Sequence, residues 1–312
     1  MSLRFQLRHY TEYRYEEFVE SAHNQLRMHL REVPGQVIER RTVRMHPAPD
    51  WTRLQSDYFG NRVLWVQTSR EHRASKIFVK HDVRVSARRL HPAEQTATVA
   101  ELRACLDSDR YAQDPELAML RLPSRLVPVD EELAAFAAPY LVADRPVLAA
   151  AEALQAHIFG TFTFSPLATS ISTPVHEVLE SRKGVCQDFA HLMVAGLRSC
   201  GLAARYVSGY IETLPPPGKP RLVGADASHA WVSVWCGPEV GWQDLDPTNN
   251  QRPQGQHLTT AWGRDYDDVI PLNGVIFGGG ESSTLKVRVD LRRLPSAIKN
   301  SALDGPALDI GK

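Results

Sequence analysis

The 312-residue chain has no net charge, with 36 Lys and Arg against 36 Asp and Glu. Together with a pI near 7.2, this excludes a protein whose main work is gripping polyanions, so nucleic acid is not an expected partner. Cysteine is sparse: Cys105, Cys186, Cys200 and Cys236 are the only four, and no two form a C-x-x-C pair. A disulfide scaffold, a zinc ribbon and a dithiol redox site are thereby excluded. No window reaches about 18 uninterrupted apolar residues, so no membrane span is expected. The start, Met1 to Arg8, alternates apolar and polar residues instead of opening an apolar run, and reads as a strand rather than a signal peptide. These absences point to a cytoplasmic location. Gly278-Gly279-Gly280 lacks G-x-G-x-x-G spacing and a following helical pattern, which leaves no nucleotide cradle and no expected cofactor.

What is present is the composition of a soluble globular protein, 43% hydrophobic and 23% charged with a mean hydropathy of -0.30. The length exceeds the roughly 250 residues at which a single core stops growing, so two domains are expected. Charge divides accordingly: residues 1–89 hold 17 Lys and Arg against 10 Asp and Glu, net +7, leaving -7 for the remainder. Two domains docking through complementary surfaces explain that split best.

Period-two patterning marks an N-terminal antiparallel β domain over 1–90, with Leu3/Phe5/Leu7, Val63/Trp65, Ile77/Val79 and Val83/Val85 as apolar stripes and Gly60-Asn61 as a turn. From 96 to 160 the period becomes helical, through Val99/Leu102/Leu106, the cap pair Asp114-Pro115, and Val147/Ala151/Leu154/Ile158 ended by Gly160. Thr173-Pro174 opens a further helix that Gly184 is placed to close. The next follows at once, with Phe189, Leu192, Met193, Gly196, Leu197 and Cys200 on one face. Strands follow over 205–211, 230–236, 242–246 and 284–291. Pro215-Pro216-Pro217-Gly218 and the glycine triplet read as exposed loops. The expected domains are therefore 1–90, 91–295 with its helical subregion 96–160, and a C-terminal tail 296–312.

Cys186 falls at a helix N-terminus, where unpaired N–H groups and the helix dipole favour a thiolate. Alone it is more simply a small buried hydrophobe. Forty-three residues on, His229 opens a strand whose hairpin partner ends in Asp244-Leu245-Asp246-Pro247. If residues 237–240 form the hairpin loop, Cys236 pairs with Gly241, and Asp246 falls diagonal to His229 on the same face, about 7 to 8 Å away between Cα atoms. Asp244 falls opposite Ser233, farther along the strand. Asp246 is thus the better partner to fix the imidazole tautomer and leave its other nitrogen for the thiol proton. Trp231 is placed to cover the pair and exclude water. Asp188 reads as a carboxylate compensating the helix dipole, and His191 points away from Cys186. A metal site of Cys186, His191 and Cys200 has no recognised ligand spacing, so no metal is expected.

The segments Gly184-Val185-Cys186-Gln187-Asp188-Phe189-Ala190-His191-Leu192, Gly201 to Tyr210, His229-Ala230-Trp231-Val232 and Asp246-Pro247-Thr248-Asn249 resemble the transglutaminase-like superfamily of papain-type cysteine enzymes. Asp57-Tyr58-Phe59-Gly60-Asn61 resembles the N-terminal domain of its bacterial branch. The resemblance implies an α+β fold, a helix bearing the cysteine packed on an antiparallel sheet bearing the histidine and aspartate. It implies Cys186 as nucleophile, His229 as general base and then acid, and Asp246 as orienter. The Cys186 N–H is a natural oxyanion donor, and Gln187, Asp188 and Trp231 are further near-site candidates. The position six residues before the nucleophile is Glu180, a poor donor when ionised. The expected activity is cysteine-dependent amide hydrolysis of a protein or peptide through a thioester. The alternatives are acyl transfer from glutamine to an amine, and a non-catalytic peptide-binding scaffold.

Overall fold

The computed structural model describes residues 2–87, 89–212 and 228–295, so the Pro-rich stretch at 215–218 and the expected tail at 296–312 lie outside the described residues. Five strands come first: β1 (Ser2–Leu26), β2 (Gln36–His46), β3 (Trp51–Ser56), β4 (Arg62–Thr68) and β5 (His72–Ser86). Short helices α1 (Val99–Asp107), α2 (Asp109–Ala112), α3 (Pro115–Met119) and α4 (Glu131–Ala137) precede the longer α5 (Val147–Thr161). Then come β6 (Thr163–Phe164), α6 (Val175–Ser181), β7 (Lys183–Gly184) and α7 (Cys186–Ser199). Strands β8 (Ala204–Ile211), β9 (Ser228–Trp235), β10 (Trp242–Leu245), β11 (His257–Gly263), β12 (Leu272–Gly278) and β13 (Ser283–Leu294) complete the described chain.

The first sheet is antiparallel in the order β2-β5-β1-β4-β3, with β12 and β13 also paired to β1. Twenty-five residues make β1 long enough to serve two sets of neighbours: its first half lies between β5 and β13, its second between β4 and β12. This corrects the expected domain boundary. Residues 272–294 complete the N-terminal sheet instead of closing the second domain, because β1 has two edges to satisfy and the strands from 36 to 86 leave one side of each half open. The glycine triplet is not a plain exposed loop either. It joins β12 to β13 with positive φ at all three residues, and Gly279 is buried against β1, its N–H donating to the Phe18 carbonyl at 2.9 Å. Phe5, Leu7, Ile77, Val79, Val83 and Val85 face inward as the alternation predicts, whereas in β4 it is Leu64 and Val66, not the Val63/Trp65 pair, that join the core clusters of this sheet.

The second sheet has the order β10-β9-β8-β11 and carries α7 against it. Here patterning understates burial: Asp188 to Arg198 are all buried, because the sheet covers one side of α7 while α4, α5 and α6 cover others. The buried Arg198 guanidinium is satisfied by the carbonyls of Ala204, Leu122 and Arg264. Asp114 caps α3 through the N–H groups of Glu116 and Leu117, as the Asp-Pro pair implies. Helix α6 is not stopped by Gly184 but two residues earlier by Arg182, whose left-handed backbone (φ 54°) turns the chain into β7. No helix among the described residues is long and apolar enough to cross a membrane.

The two sheets meet along β11. One edge of that strand pairs with β8. The other is closed by side-chain amides of the N-terminal sheet: Gln36 donates to the Thr259 carbonyl (2.9 Å) and accepts from its N–H (2.9 Å), and Asn61 does the same for Trp262 (2.8 and 3.0 Å). Asn61 is itself held by Asp57, at the loop where Gly60 takes φ +72°. Tyr210 and Leu258 enter the apolar cluster of Phe5, Leu7, Val83 and Val85, so one core is shared. Gln36→Ala removes the acceptor of the Thr259 N–H, whose carbonyl keeps the Arg31 N–H, and Asn61→Ala removes both partners of the Trp262 backbone; each is expected to lower stability by about 1 to 3 kcal/mol. Urea unfolding that leaves the midpoint unchanged in both variants contradicts this account of the seam.

Candidate active site

The site forms where β8 ends and β9 begins, against the start of α7. Val185 is extended and Cys186 is the first helical residue, so its side chain sits at the positive end of a fourteen-residue helix. Asp188 secures that start. Its Oδ2 accepts from the Val185 N–H (2.8 Å) and the Thr169 hydroxyl (2.6 Å). The carboxylate occupies the space a Cβ at Gly184 would need, 2.9 Å from it, which accounts for glycine there. Burial pushes the Asp188 carboxyl above its ordinary range, opposed by those two hydrogen bonds. Asp188 therefore shapes the helix start, and its Oδ2 is committed there.

Opposite, the β9–β10 hairpin has the register implied by the four-residue loop: Trp242 pairs with Trp235 and Leu245 with Val232, while the Cys236 N–H donates to the Gly241 carbonyl. Asp244 is opposite Ser233. Asp246 follows the strand and is completely buried. Pro247 cannot extend a ladder, and the chain turns back through an Asx turn in which Asp246 Oδ1 accepts from the N–H groups of Thr248 (3.0 Å) and Asn249 (3.3 Å). That turn presents Oδ2 to three donors: His229 Nε2 at 2.8 Å, Asn249 Nδ2 at 2.8 Å and His257 Nε2 at 3.0 Å.

His229 Nε2 is given to Asp246, and the Cys186 side chain lies within hydrogen-bonding reach of the same imidazole. Sulfur, imidazole and carboxylate thus form one chain of contacts. Burial alone would lower the His229 imidazolium, but hydrogen bonds to Asp246 and Cys186 and the charge of Asp246 outweigh it and raise the pKa from 6.5 to about 10. Burial would likewise raise Asp246, yet its bonds from His229 and His257 hold it well below the usual carboxylate range. The arrangement favours a charged imidazolium paired with the ionised, buried carboxylate of Asp246.

The remaining candidates separate. Gln187 is a half-buried neighbour whose side-chain amide donates to the Ile171 carbonyl (3.1 Å), so that donor is spent on the loop before α6. Trp231 stands next to the His229 ring, with ring centroids 6.1 Å apart. It is fully buried beside His229 and His257, its ring over Gly209, where a Cβ would come within 2.5 Å of it. Its Nε1 has no solvent contact, which takes it out of reach of an oxyanion. His191 is buried and accepts the Tyr266 N–H at 3.1 Å, and Glu180 is exposed on α6. Asn249 and His257 were not singled out for roles by sequence reasoning. Asn249 lies in the quoted Asp-Pro-Thr-Asn segment, but His257 comes from another strand with no spacing signal. The ligand atoms of His229, Asp246 and His257 lie within 4.8 Å of one another, as in a metal site, but His229 and His257 both reach the same carboxylate oxygen at hydrogen-bond distance. We read them as a hydrogen-bonded set.

A cysteine at a helix start against an antiparallel sheet bearing histidine and aspartate defines a papain-like α+β protein. The chain belongs to the transglutaminase-like superfamily: residues 134–247 match the model of that superfamily and residues 5–84 match the bacterial transglutaminase-like N-terminal region. It is 36% identical over 293 residues to an uncharacterized protein of Mycobacterium tuberculosis, spanning 92% of each chain. It is 34% identical over 140 residues to a protein-glutamine gamma-glutamyltransferase of Pseudomonas aeruginosa, 41% of this chain and 21% of that one. The crystal structure of a candidate cysteine protease from Cytophaga hutchinsonii has the same fold, with a TM-score of 0.75 and 20% identity over 99% of this chain and 96% of that one.

The sign of the His229 shift gives a pH test. A pKa raised on folding contributes stability that is fully present below pH 6.5 and is lost as pH rises through about 10. The gap in Tm between the native protein and His229→Ala is therefore expected to be largest below pH 6.5 and to shrink toward pH 10. A gap that stays constant over that range contradicts the assignment.

Proposed function

We propose that the protein is a cysteine-dependent acyl-transfer enzyme acting on amide bonds of proteins or peptides, with water as the usual acceptor. Cys186 attacks the amide carbonyl and forms a thioester. His229 takes the thiol proton and returns it to the departing amine, then deprotonates the water that releases the acid. Asp246 holds the imidazole and balances its charge. The observation that carries this reading is the bonded series from Cys186 through His229 to the buried Asp246. Family membership supports it, since cysteine-type enzymes are typical of the superfamily. The Cys186 N–H, at the head of α7, is the oxyanion donor proposed for the tetrahedral intermediate.

A second reading, transfer of a glutamine acyl group to an amine, uses the same three residues and is favoured by the partial likeness to the Pseudomonas glutamyltransferase. The two differ only in what reaches the thioester first. Cys186→Ala is expected to abolish thioester trapping on a casein substrate, read by mass spectrometry, and His229→Ala or Asp246→Asn to lower turnover on the order of 10²- to 10⁴-fold. Equal turnover in Cys186→Ala ends the proposal. Incorporation of a labelled primary amine faster than peptide hydrolysis selects the second reading.

A further inference from the structure

His257 opens β11, on the far side of β8 from His229, and no local requirement brings it to Asp246. Yet its Nε2 meets the same carboxylate oxygen that His229 uses, 3.0 Å away, and its ring stands edge-on to the buried Trp231 with centroids 5.2 Å apart. A side chain serving only to fill this space would be apolar. His257 Nδ1 is buried and has no hydrogen-bond partner among the described residues, a cost that a phenylalanine or leucine would not carry. The one polar contact that offsets this cost is the bond to Asp246.

We propose that His257 is a positioning residue for the Cys186, His229 and Asp246 set: by donating to Asp246 Oδ2 it keeps that carboxylate ionised and in one rotamer, and so fixes the imidazole of His229. The proposal rests on the catalytic reading given above and adds a role for the N-terminal sheet. Strand β11 is held by Gln36 and Asn61, and Leu258, next to His257, is buried with Phe5 and Leu7. His257 also lines a cavity of about 610 Å³ whose walls include Leu3 and Val85 of that sheet and Arg252 from the loop after Asp246. The charged or titratable groups around it are therefore Asp246, His229 and, across the cavity, Arg252. The N-terminal domain thus positions the acid of the site through one strand and one histidine.

The test is the rate at which iodoacetamide alkylates Cys186 in the full chain over about pH 4 to 9, read on the Cys186 peptide by mass spectrometry. His257→Phe keeps a ring against Trp231 and removes the donor. Without it the buried carboxylate takes up a proton at a pH about one to two units higher, so the acidic limb is expected to move upward by that amount and the rate on that limb to fall about tenfold or more. His257→Gln places an amide N–H near the lost Nε2 and is expected to retain the native profile. A native profile in His257→Phe, or equal loss in the Phe and Gln variants, overturns the proposal. If His257→Phe does not fold, His257→Asn replaces it: its shorter amide falls short of Asp246, so loss in Asn with retention in Gln supports the role, and equal profiles overturn it. His229→Ala separates the two levels. Lost low-pH reactivity in that variant with none lost in His257→Phe defeats the positioning role alone. A native profile in His229→Ala defeats the catalytic reading, and this proposal with it.

Discussion

A fully buried carboxylate at the end of a sheet is the constraint around which this protein is arranged. An ion taken out of water costs several kcal/mol unless hydrogen bonds and charge replace its hydration. Asp246 receives five donors within hydrogen-bond distance, two backbone N–H groups on Oδ1 and His229, Asn249 and His257 on Oδ2. Two of the three side-chain donors belong to other strands, so the carboxylate is satisfied only when β9, β10 and β11 are all in place. Local order at the site and assembly of the second sheet are one event.

The thiol end depends on a different device. A helix N-terminus offers unpaired N–H groups, and the chain spends Asp188 and Thr169 on fixing the backbone there, leaving Cys186 as the side chain turned toward the imidazole. Glycine at 184 is part of the same construction, since any Cβ would strike the Asp188 carboxylate. Burial raises the Asp188 carboxyl, and the bonds it accepts at the helix start oppose that shift.

The N-terminal sheet contributes no residue to the sulfur–imidazole–carboxylate series, yet the second sheet is incomplete without it. Two amide side chains stand in for a neighbouring strand along β11, and a cation–π contact reinforces the seam, with Arg31 3.4 Å from the Trp262 ring centre. Because β12 and β13 return to pair with β1, the second sheet lies between segments that both belong to the first. That connectivity ties the position of the site to the folding of the whole chain.

Much of this was legible in the residues themselves. Period two in residues 3–7 and 77–85, helical period after 96, and the Asp-Pro and glycine signals placed most elements, because those patterns reflect backbone sterics and one-sided burial acting over a few residues. The loop length of the β9–β10 hairpin was enough to choose Asp246 over Asp244, since register propagates from a turn. Local pattern could not reveal that residues 272–294 return to β1, or that His257 reaches Asp246. These depend on which distant edges remain unpaired and which faces meet once both sheets have packed, and contacts between strands far apart in sequence leave no period to read.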